Sequence, residues 1–372
     1  VGEERVAIKM VEVHSIGAGG GSLAWIDSLG LLRVGPQSAG AAPGPACYGR
    51  GGDLPTVTDA NVVLGYIPTD YFLGGEIVLD AERSREAIRK VAEPLKMNES
   101  QAAQAMFNMV NSLMADQVIE LSTKRGYDVR DFALIVGGGA GPVHGAHIAE
   151  QLGIPSVVIP KYSALYSAFG MFAMDVGRDY AQSYMVRADK LDLERLEDLY
   201  RGLIEQAKAD LRESHAEASE LVLTRTAQMR HVGQFHEIEI PLPGELKTLD
   251  DVQSVLATFH ARHKELYTFD LPQRAIEFRT FSLRATVIRK RDLKIVSLAR
   301  GAAEAKPALK RTRRCLFGKD WIDTPCYDGA RLLAGNVIAG PAIIEEQATT
   351  VVVPEKFVCT VDKTGSYLLK RR

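Results

Sequence analysis

Apolar positions recur along the chain in two rhythms, and each rhythm marks a kind of element. Val6–Val13 is short and apolar-rich, a strand pattern that runs into a turn at Ile16–Ser22. Leu23–Asp27 and Leu31–Val34 read as two short strands joined by Ser28-Leu29-Gly30. Residues 36–61 are rich in Gly, Pro and Ala, too irregular for a long element, and their apolar content predicts an ordered loop. Helices are predicted at Ala81–Leu95 and from Glu99 to about Lys124. The second carries Ala105, Met109, Leu113, Met114, Val118 and Leu121 as an apolar stripe near the helical period, with Gly126 as its stop.

A compact unit follows. Phe132–Val136 is an apolar strand, Gly137–Gly141 a turn, Pro142–Leu152 a helix and Ser156–Ile159 a second strand, which is βαβ order. Pro142 stands at the helix start, where its missing N–H is not needed. Beyond it, Ser183–Arg187 is strand-like, Leu191–Glu217 is charged and helical, and Glu220–Val232 with His236–Pro241 alternate like paired strands. Leu249–Tyr267 is helical, Glu277–Ile288 a strand, and Ala302–Arg314 a linker with a basic strand before a β-rich tail to Leu369.

Composition narrows the class. The 372 residues are 46% hydrophobic and 25% charged, which rules out a mostly disordered chain and allows two or three domains. A net charge of −2 supplies no field for nucleic acid or anionic lipid, so no nucleic-acid partner is expected. No apolar run reaches the roughly 18 residues of a membrane span, and Val1–Lys9 carries no signal-peptide pattern, so no membrane is expected either. The four cysteines, Cys47, Cys315, Cys326 and Cys359, lack CxxC spacing and suit reduced thiols in a cytoplasmic protein.

Glycine is uneven: 12 of 33 fall in the first 52 residues, a density that points to backbone bent to approach something closely. In His14-Ser15-Ile16-Gly17-Ala18-Gly19-Gly20-Gly21-Ser22 the amides of a glycine loop between two strands can point at one spot and hold a phosphate. Strand–glycine loop–strand is the way actin-like and sugar-kinase-like ATPases build a phosphate hairpin; a ligand-free tight hairpin is the alternative. Gly137-Gly138-Gly139-Ala140-Gly141-Pro142-Val143-His144 is a second glycine turn, after a strand and opening a helix, and in an actin-like fold it would hold adenosine. It lacks the spacing of a dinucleotide fingerprint.

Other candidates stand beside plainer readings. Asp59, in Pro55-Thr56-Val57-Thr58-Asp59, could hold Mg²⁺ or orient a water, or could cap a helix. His14 is a candidate acid–base group or a core histidine. His144 with His147, and His260 with His263, are spaced i, i+3; a metal would need a third ligand the sequence does not name, so structural or solvated roles are expected. Lys306–Arg314 reads as a solvated basic strand face, and Cys47 as a buried thiol more than a nucleophile.

The segments IGAGGGSLAWID, LLRVGPQSAGAAPGPACYGRGG, PTVTDANVVLG, RDFALIVGGGAGPVHGAHIAEQLGI, MRHVGQFHEIEIPLP and AGPAIIEEQATTVVVP closely resemble the hydantoinase A/5-oxoprolinase family, over about residues 12 to 368. That family includes ATP-dependent N-methylhydantoinase and 5-oxoprolinase chains and related subunits of acetone and acetophenone carboxylases. The resemblance implies an α/β chain: an actin-like ATPase (ribonuclease H-like) lobe over 1–180, an α+β domain over 181–290 and a small β-rich unit over 291–372. It implies use of ATP with Mg²⁺ to phosphorylate a cyclic amide or enol oxygen, in complex with a hydantoinase-B-like subunit. Carried onto this chain, the phosphate cradle would fall on Gly19, Gly20, Gly21 and Ser22, and the nucleoside turn on Gly138, Gly139, Ala140 and Gly141 with His144 following; Asp59 and His14, from the reading of the residues above, stay the catalytic candidates.

Two departures matter. Family members begin with a lobe carrying an Asp-x-Gly-Gly-Thr motif that these residues lack, so the chain should hold half of a cleft site and be inactive alone; either another polypeptide supplies the other lobe or the chain is an incomplete gene product. The segment Lys161–Gly170 also departs from the hydantoinase-type wording, which keeps a ketone carboxylase subunit, and a scaffold that has lost catalysis, as alternatives.

Overall fold

The computed structural model describes residues 13–213, 220–288 and 297–372. The strand expected at Val6–Val13 and the end of the helix expected at Leu191–Glu217 thus fall largely or partly outside the described residues. The described residues form two compact units, one of 13–172 with 297–372 and one of 173–213 with 220–288. The fold is mixed α/β, and none of its described helices is long and apolar enough to cross a membrane.

The first unit begins with an antiparallel hairpin, β1 (Ser22–Ile26) and β2 (Leu32–Ser38), in which Ala24 faces Val34. Asp27 closes its turn by accepting the Leu29 and Leu31 amides, each at 2.9 Å. A long loop leads to α1 (Val57–Val63), then α2 (Ala81–Ala92) and α3 (Glu99–Thr123). Thr56 with Asp59, and Asn98 with Gln101, form capping boxes that satisfy the first amides of α1 and α3. The buried face of α3 is Ala102, Ala103, Met106, Phe107, Val110, Asn111 and Ala115, rotated from the expected stripe, and Leu113 is exposed. Apolar residues nearly encircle this helix, so periodicity alone cannot choose which side its neighbours cover.

β3 (Ala133–Ile135), α4 (Gly141–Leu152) and β4 (Ser156–Ile159) form the expected βαβ unit, with β3 and β4 parallel. A short helix, α5 (Tyr166–Ala173), follows. The second unit is an antiparallel sheet of β5 (Val176–Arg187), β6 (Glu220–His231), β7 (Ile238–Leu242) and β8 (Ile276–Ile288), in the order β5-β8-β6-β7. Its apolar residues, Phe278, Phe281, Leu283, Ala285 and Val287 among them, share a core with Leu196, Tyr200 and Leu203 of α6 (Leu193–Glu213) and Val255 and Phe259 of α7 (Leu249–Tyr267).

The C-terminal strands are β9 (Leu309–Phe317), β10 (Asp320–Asp328), β11 (Val337–Ala339), β12 (Ala342–Glu345), β13 (Thr350–Val353), β14 (Phe357–Val361) and β15 (Tyr367–Arg371). They do not form the separate unit expected over 291–372. β15 inserts between β14 and β4, pairing Tyr367 with Ile159 and Leu369 with Val157 in the sheet β11-β14-β15-β4-β3. The other sheet, β13-β12-β10-β9, sends Cys315, Leu316, Cys326, Ile343 and Val352 into the core beneath α1, α2 and α3. A two-stranded β3–β4 pair could not bury its apolar residues alone, and the late strands complete it.

The basic run is solvated only in part: Lys306, Thr312 and Arg314 are exposed, as expected, but other members of the run reach inward. Lys310, Arg311 and Arg313 converge on the buried Glu345 carboxylate at 2.9, 2.9 and 2.6 Å. Burial pushes the Glu345 carboxyl up, but the hydrogen bonds from these cations outweigh it and hold its pKa below the usual value. All four cysteines are free and buried.

Candidate functional site

A cavity of about 610 Å³ opens in the first unit, lined by both glycine turns. Gly20 and Gly21 come from the first, Gly139 and Ala140 from the second, and the loop Glu346–Thr350 between β12 and β13 closes another wall. Ile67, Tyr71, Phe72, Ile77 and Val143 supply apolar surface, and Arg50 is the cation among the described lining residues. The volume falls in the range of ordinary small-molecule sites.

The first turn is built by its own hydrogen bonds. Gly19 N–H donates to Ser22 Oγ at 3.0 Å, and Ser22 N–H donates to the Gly19 carbonyl at 3.1 Å. The Gly20 carbonyl accepts both Thr58 N–H, at 2.8 Å, and Thr58 Oγ1, at 2.9 Å, while the Gly21 carbonyl accepts Ala39 N–H. The carbonyls are thereby drawn back into the protein, and no hydrogen bond of the described residues uses the Gly20 or Gly21 amide. Amides presented in this way suit an anion. A Cβ on Gly20 would lie 2.9 Å from Thr58 Oγ1 and 3.4 Å from the Ala140 side chain. A side chain at this position would press on the start of α1, while the second turn lies at van der Waals distance.

In the second turn Gly138 has a φ of +88°, and its N–H donates to the Ser163 carbonyl. Thr349 Oγ1 donates to the Gly139 carbonyl at 2.7 Å, tying the β12–β13 loop to the turn. Gly141 opens α4 with its α-carbon against Val136, where a Cβ would lie 2.9 Å from Val136 Cγ1. Of the eight turn residues expected to bind, Gly20, Gly21, Gly139 and Ala140 line the cavity; Gly19, Ser22, Gly138 and Gly141 are not among its lining residues and shape the turns.

The other three expected site residues do not line this cavity. Asp59 is completely buried, and its oxygens accept hydrogen bonds from Ala46 N–H, Cys47 N–H, Thr56 N–H, Thr56 Oγ1 and Ser84 Oγ. It clasps the loop to α1 and α2 and offers nothing to a metal or a water. His144 is buried between Asn61 and Asn111: Nδ1 is 2.8 Å from Asn111 Oδ1, and Nε2 is 3.1 Å from Asn61 Nδ2. Those partners assign the proton to Nδ1, and burial followed by the neighbouring His147 lowers the pKa of His144 to about 3. It is a neutral core histidine stacked on Phe107, not a nucleotide contact. His14 is exposed and lines a second groove together with Gly19, Gly21 and Ser22 of the first turn and with Pro36 and Ser38, so it stands beside that turn but outside the cavity.

The sequence reasoning missed the cavity's other residues. Arg50 and Thr58 sat inside segments read only as loop and cap, and EEQATT was part of a recognised block with no role assigned. Glu346 is the carboxylate among the described lining residues; burial raises its pKa, and the Tyr367 hydroxyl, which donates to Oε1, offsets part of that rise. Cys47 is wholly buried, and burial together with the nearby Asp59 charge pushes its thiol far up, so it is no nucleophile.

Comparison with known proteins extends the picture. Residues 1–180 match the family model described as hydantoinase/oxoprolinase, and residues 187–371 match the hydantoinase/oxoprolinase C-terminal domain. The chain is 37% identical to the caprolactamase subunit alpha of Pseudomonas jessenii over 98% of its own length and 53% of that protein's. The crystal structure of that ATP-dependent caprolactamase superimposes with a TM-score of 0.75 at 36% identity, over 97% of this chain and 53% of that one. A nucleotide-free acetone carboxylase structure superimposes with a TM-score of 0.87 at 28% identity, over 95% of this chain and 52% of that one. The 5-oxoprolinase 1 of Arabidopsis thaliana is 29% identical over 96% of this chain and 29% of its own length. The chain thus spans about half the length of the caprolactamase and acetone carboxylase chains it matches. Two family models that together run along nearly the whole chain, with a relative aligned over 98% of it, establish that it belongs to the hydantoinase/oxoprolinase family.

Proposed function

We propose that this chain supplies one side of the ATP site of an ATP-dependent cyclic-amide hydrolase. The observation that carries the reading is the meeting of two glycine turns, distant in sequence, on one cavity. The Gly20 and Gly21 amides bind phosphate oxygens, with Arg50 as the accompanying cation, and the nucleoside lies against Gly139 and Ala140. The flanking Gly19, Ser22, Gly138 and Gly141 hold these contacts in place. The hairpin phosphate loop and the βαβ unit are features of an actin-like ATPase lobe, and an opposing lobe on another stretch of polypeptide completes the cleft. ATP phosphorylates the amide oxygen, which makes the ring carbonyl carbon electrophilic; this chain's part is to position the phosphates and exclude water.

The residues do not fit a Mg²⁺ site of their own. Asp59 has both oxygens filled, and Glu346 already accepts a hydrogen bond from Tyr367. Partners follow from the same reading: a hydantoinase-B-like subunit and the opposing lobe, in the cytoplasm, where four free buried thiols stay reduced. A second reading, an ATP-dependent ketone carboxylase subunit, is favoured by the TM-score of 0.87 with acetone carboxylase.

The deciding experiment isolates the native complex and follows ATP loss with hydantoin, 5-oxoproline and caprolactam, and with acetone or acetophenone plus labelled bicarbonate. We expect a cyclic amide to raise ATP loss and Gly20→Asp to abolish it while the complex stays assembled. Label entering an acid product instead selects the carboxylase. ATP loss under neither condition leaves a scaffold.

A further inference from the structure

The two histidines of α7, His260 and His263, do not share a ligand between themselves. The second unit instead gathers His263 with His231, at the end of β6, and Asp270, just after α7, so that one donor atom from each lies within 4.8 Å of the others. The outer contacts of these three side chains are those of a prepared metal site.

His231 is completely buried. Its Nδ1 lies 3.3 Å from the Arg274 carbonyl, which assigns the proton to that nitrogen. Its Nε2 is buried and, among the described residues, has no hydrogen-bond partner. Buried polar atoms are nearly always satisfied, and a basic nitrogen left bare calls for an occupant. His263 is oriented in the same manner, with Nδ1 3.0 Å from the Phe269 carbonyl and Nε2 receiving the Gln234 amide at 3.0 Å. Asp270 Oδ1 accepts from Leu271 N–H at 2.8 Å and stands 2.7 Å from His260 Nδ1, and among the described residues no hydrogen bond uses its second oxygen, which suits a ligand. Metal-binding imidazoles characteristically give their other N–H to a carbonyl or carboxylate, and ligating carboxylates are themselves hydrogen-bonded. All three groups already have that support.

We propose that His231, His263 and Asp270 bind a divalent transition-metal ion of the zinc class. Two imidazole nitrogens and one carboxylate oxygen suit Zn²⁺ or Co²⁺, with water or substrate in a fourth position. Ligand atoms around a tetrahedral ion with bonds of about 2.0–2.1 Å stand roughly 3.3 Å apart. The site therefore closes by a modest movement of the part-exposed Asp270 side chain, with Gln234 released from His263. His260 is a positioning residue that holds the Asp270 carboxylate. The bound ion joins the end of β6, α7 and the turn after it, and this inference does not depend on the ATP reading.

The test uses the full chain stripped of metal by chelator and titrated with Zn²⁺ by calorimetry and with Co²⁺ by visible absorption. One ion per chain is expected, with the intense d–d bands of a four-coordinate cobalt site. His231→Gln and Asp270→Asn should each weaken binding by more than the roughly 10–100-fold typical of an outer-shell change, the range expected for His260→Gln. His236→Ala, at an exposed imidazole outside the cluster, should leave binding unchanged. Asp270→Asn is decisive because its side chain reaches the surface, and circular dichroism confirms its fold. Absence of stoichiometric uptake by the unaltered chain, or uptake that survives Asp270→Asn in folded protein, overturns the proposal.

Discussion

Five hydrogen bonds reach the Asp59 carboxylate from the loop, the α1 cap and Ser84, and they make this acid a clasp within a glycine-rich neighbourhood. A carboxylate whose lone pairs are used by fixed donors binds its own fold. His144 gives the same lesson for a base, with a measurable consequence. Its pKa falls from 6.5 to about 3 on folding. Between those values the unfolded chain binds a proton that the folded chain refuses. Its contribution is therefore complete above pH 6.5 and is lost as pH falls toward 3, by about 3 kcal/mol at pH 4.5. His147, lowered to about 4, acts in the same direction. Urea unfolding at pH 7 and pH 4.5 should show a smaller pH effect in His144→Gln than in the parent chain; an equal effect would mean that the imidazole is protonated in the fold.

At the scale of elements, β9 and β12 are joined by charge as well as by the sheet between them. Arg313 reaches Glu345 and also donates to the Gly65 and Tyr66 carbonyls just past α1, while Arg311 bridges Glu345 to Asp70. Glu345→Gln would leave Lys310, Arg311 and Arg313 around a neutral amide, and breaking a buried pair in this way should cost about 3 kcal/mol in urea unfolding. A loss under about 0.5 kcal/mol would place the cluster among ordinary surface pairs. The sequence showed KPALKRTRR as basic but could not show a carboxylate more than thirty residues later turning inward to meet it. Helices were legible for a related reason. The Asn98 and Gln101 cap marks the start of α3 locally, whereas its buried face depends on which neighbours arrive, and Met106 and Phe107 rather than Leu113 were covered.

For the whole molecule, the decisive pairing is between the last strand and one formed two hundred residues earlier. β15 lies between β14 and β4, so the sheet behind α4, and with it the second glycine turn, depends on the C-terminus. Removing residues 366–372 should expose Val157 and Ile159 and abolish cooperative unfolding of the first unit, seen as loss of its thermal transition and rapid proteolysis. An unchanged transition would show that the βαβ unit stands without that strand. The candidate site has the same dependence, since Thr349 and Ala348 reach the second turn only because β12 and β13 are folded beneath it.

The sequence by itself determined what is local: the hairpin, the capped helices, the βαβ order and the two glycine turns, each encoded by residues within a few positions of one another. It also carried the family, because its motif blocks are strung along nearly the whole chain in order. Only the tertiary structure decided which side chains those turns meet. It seated Gly20 against Ala140, withdrew Asp59 and His144 into the core, brought Arg50 and Glu346 to the cavity, and paired His263 with His231 and Asp270. A side chain's role depends on whether its lone pairs and charge are met by protein or left for a ligand, and those partners are chosen by packing between segments far apart in the chain.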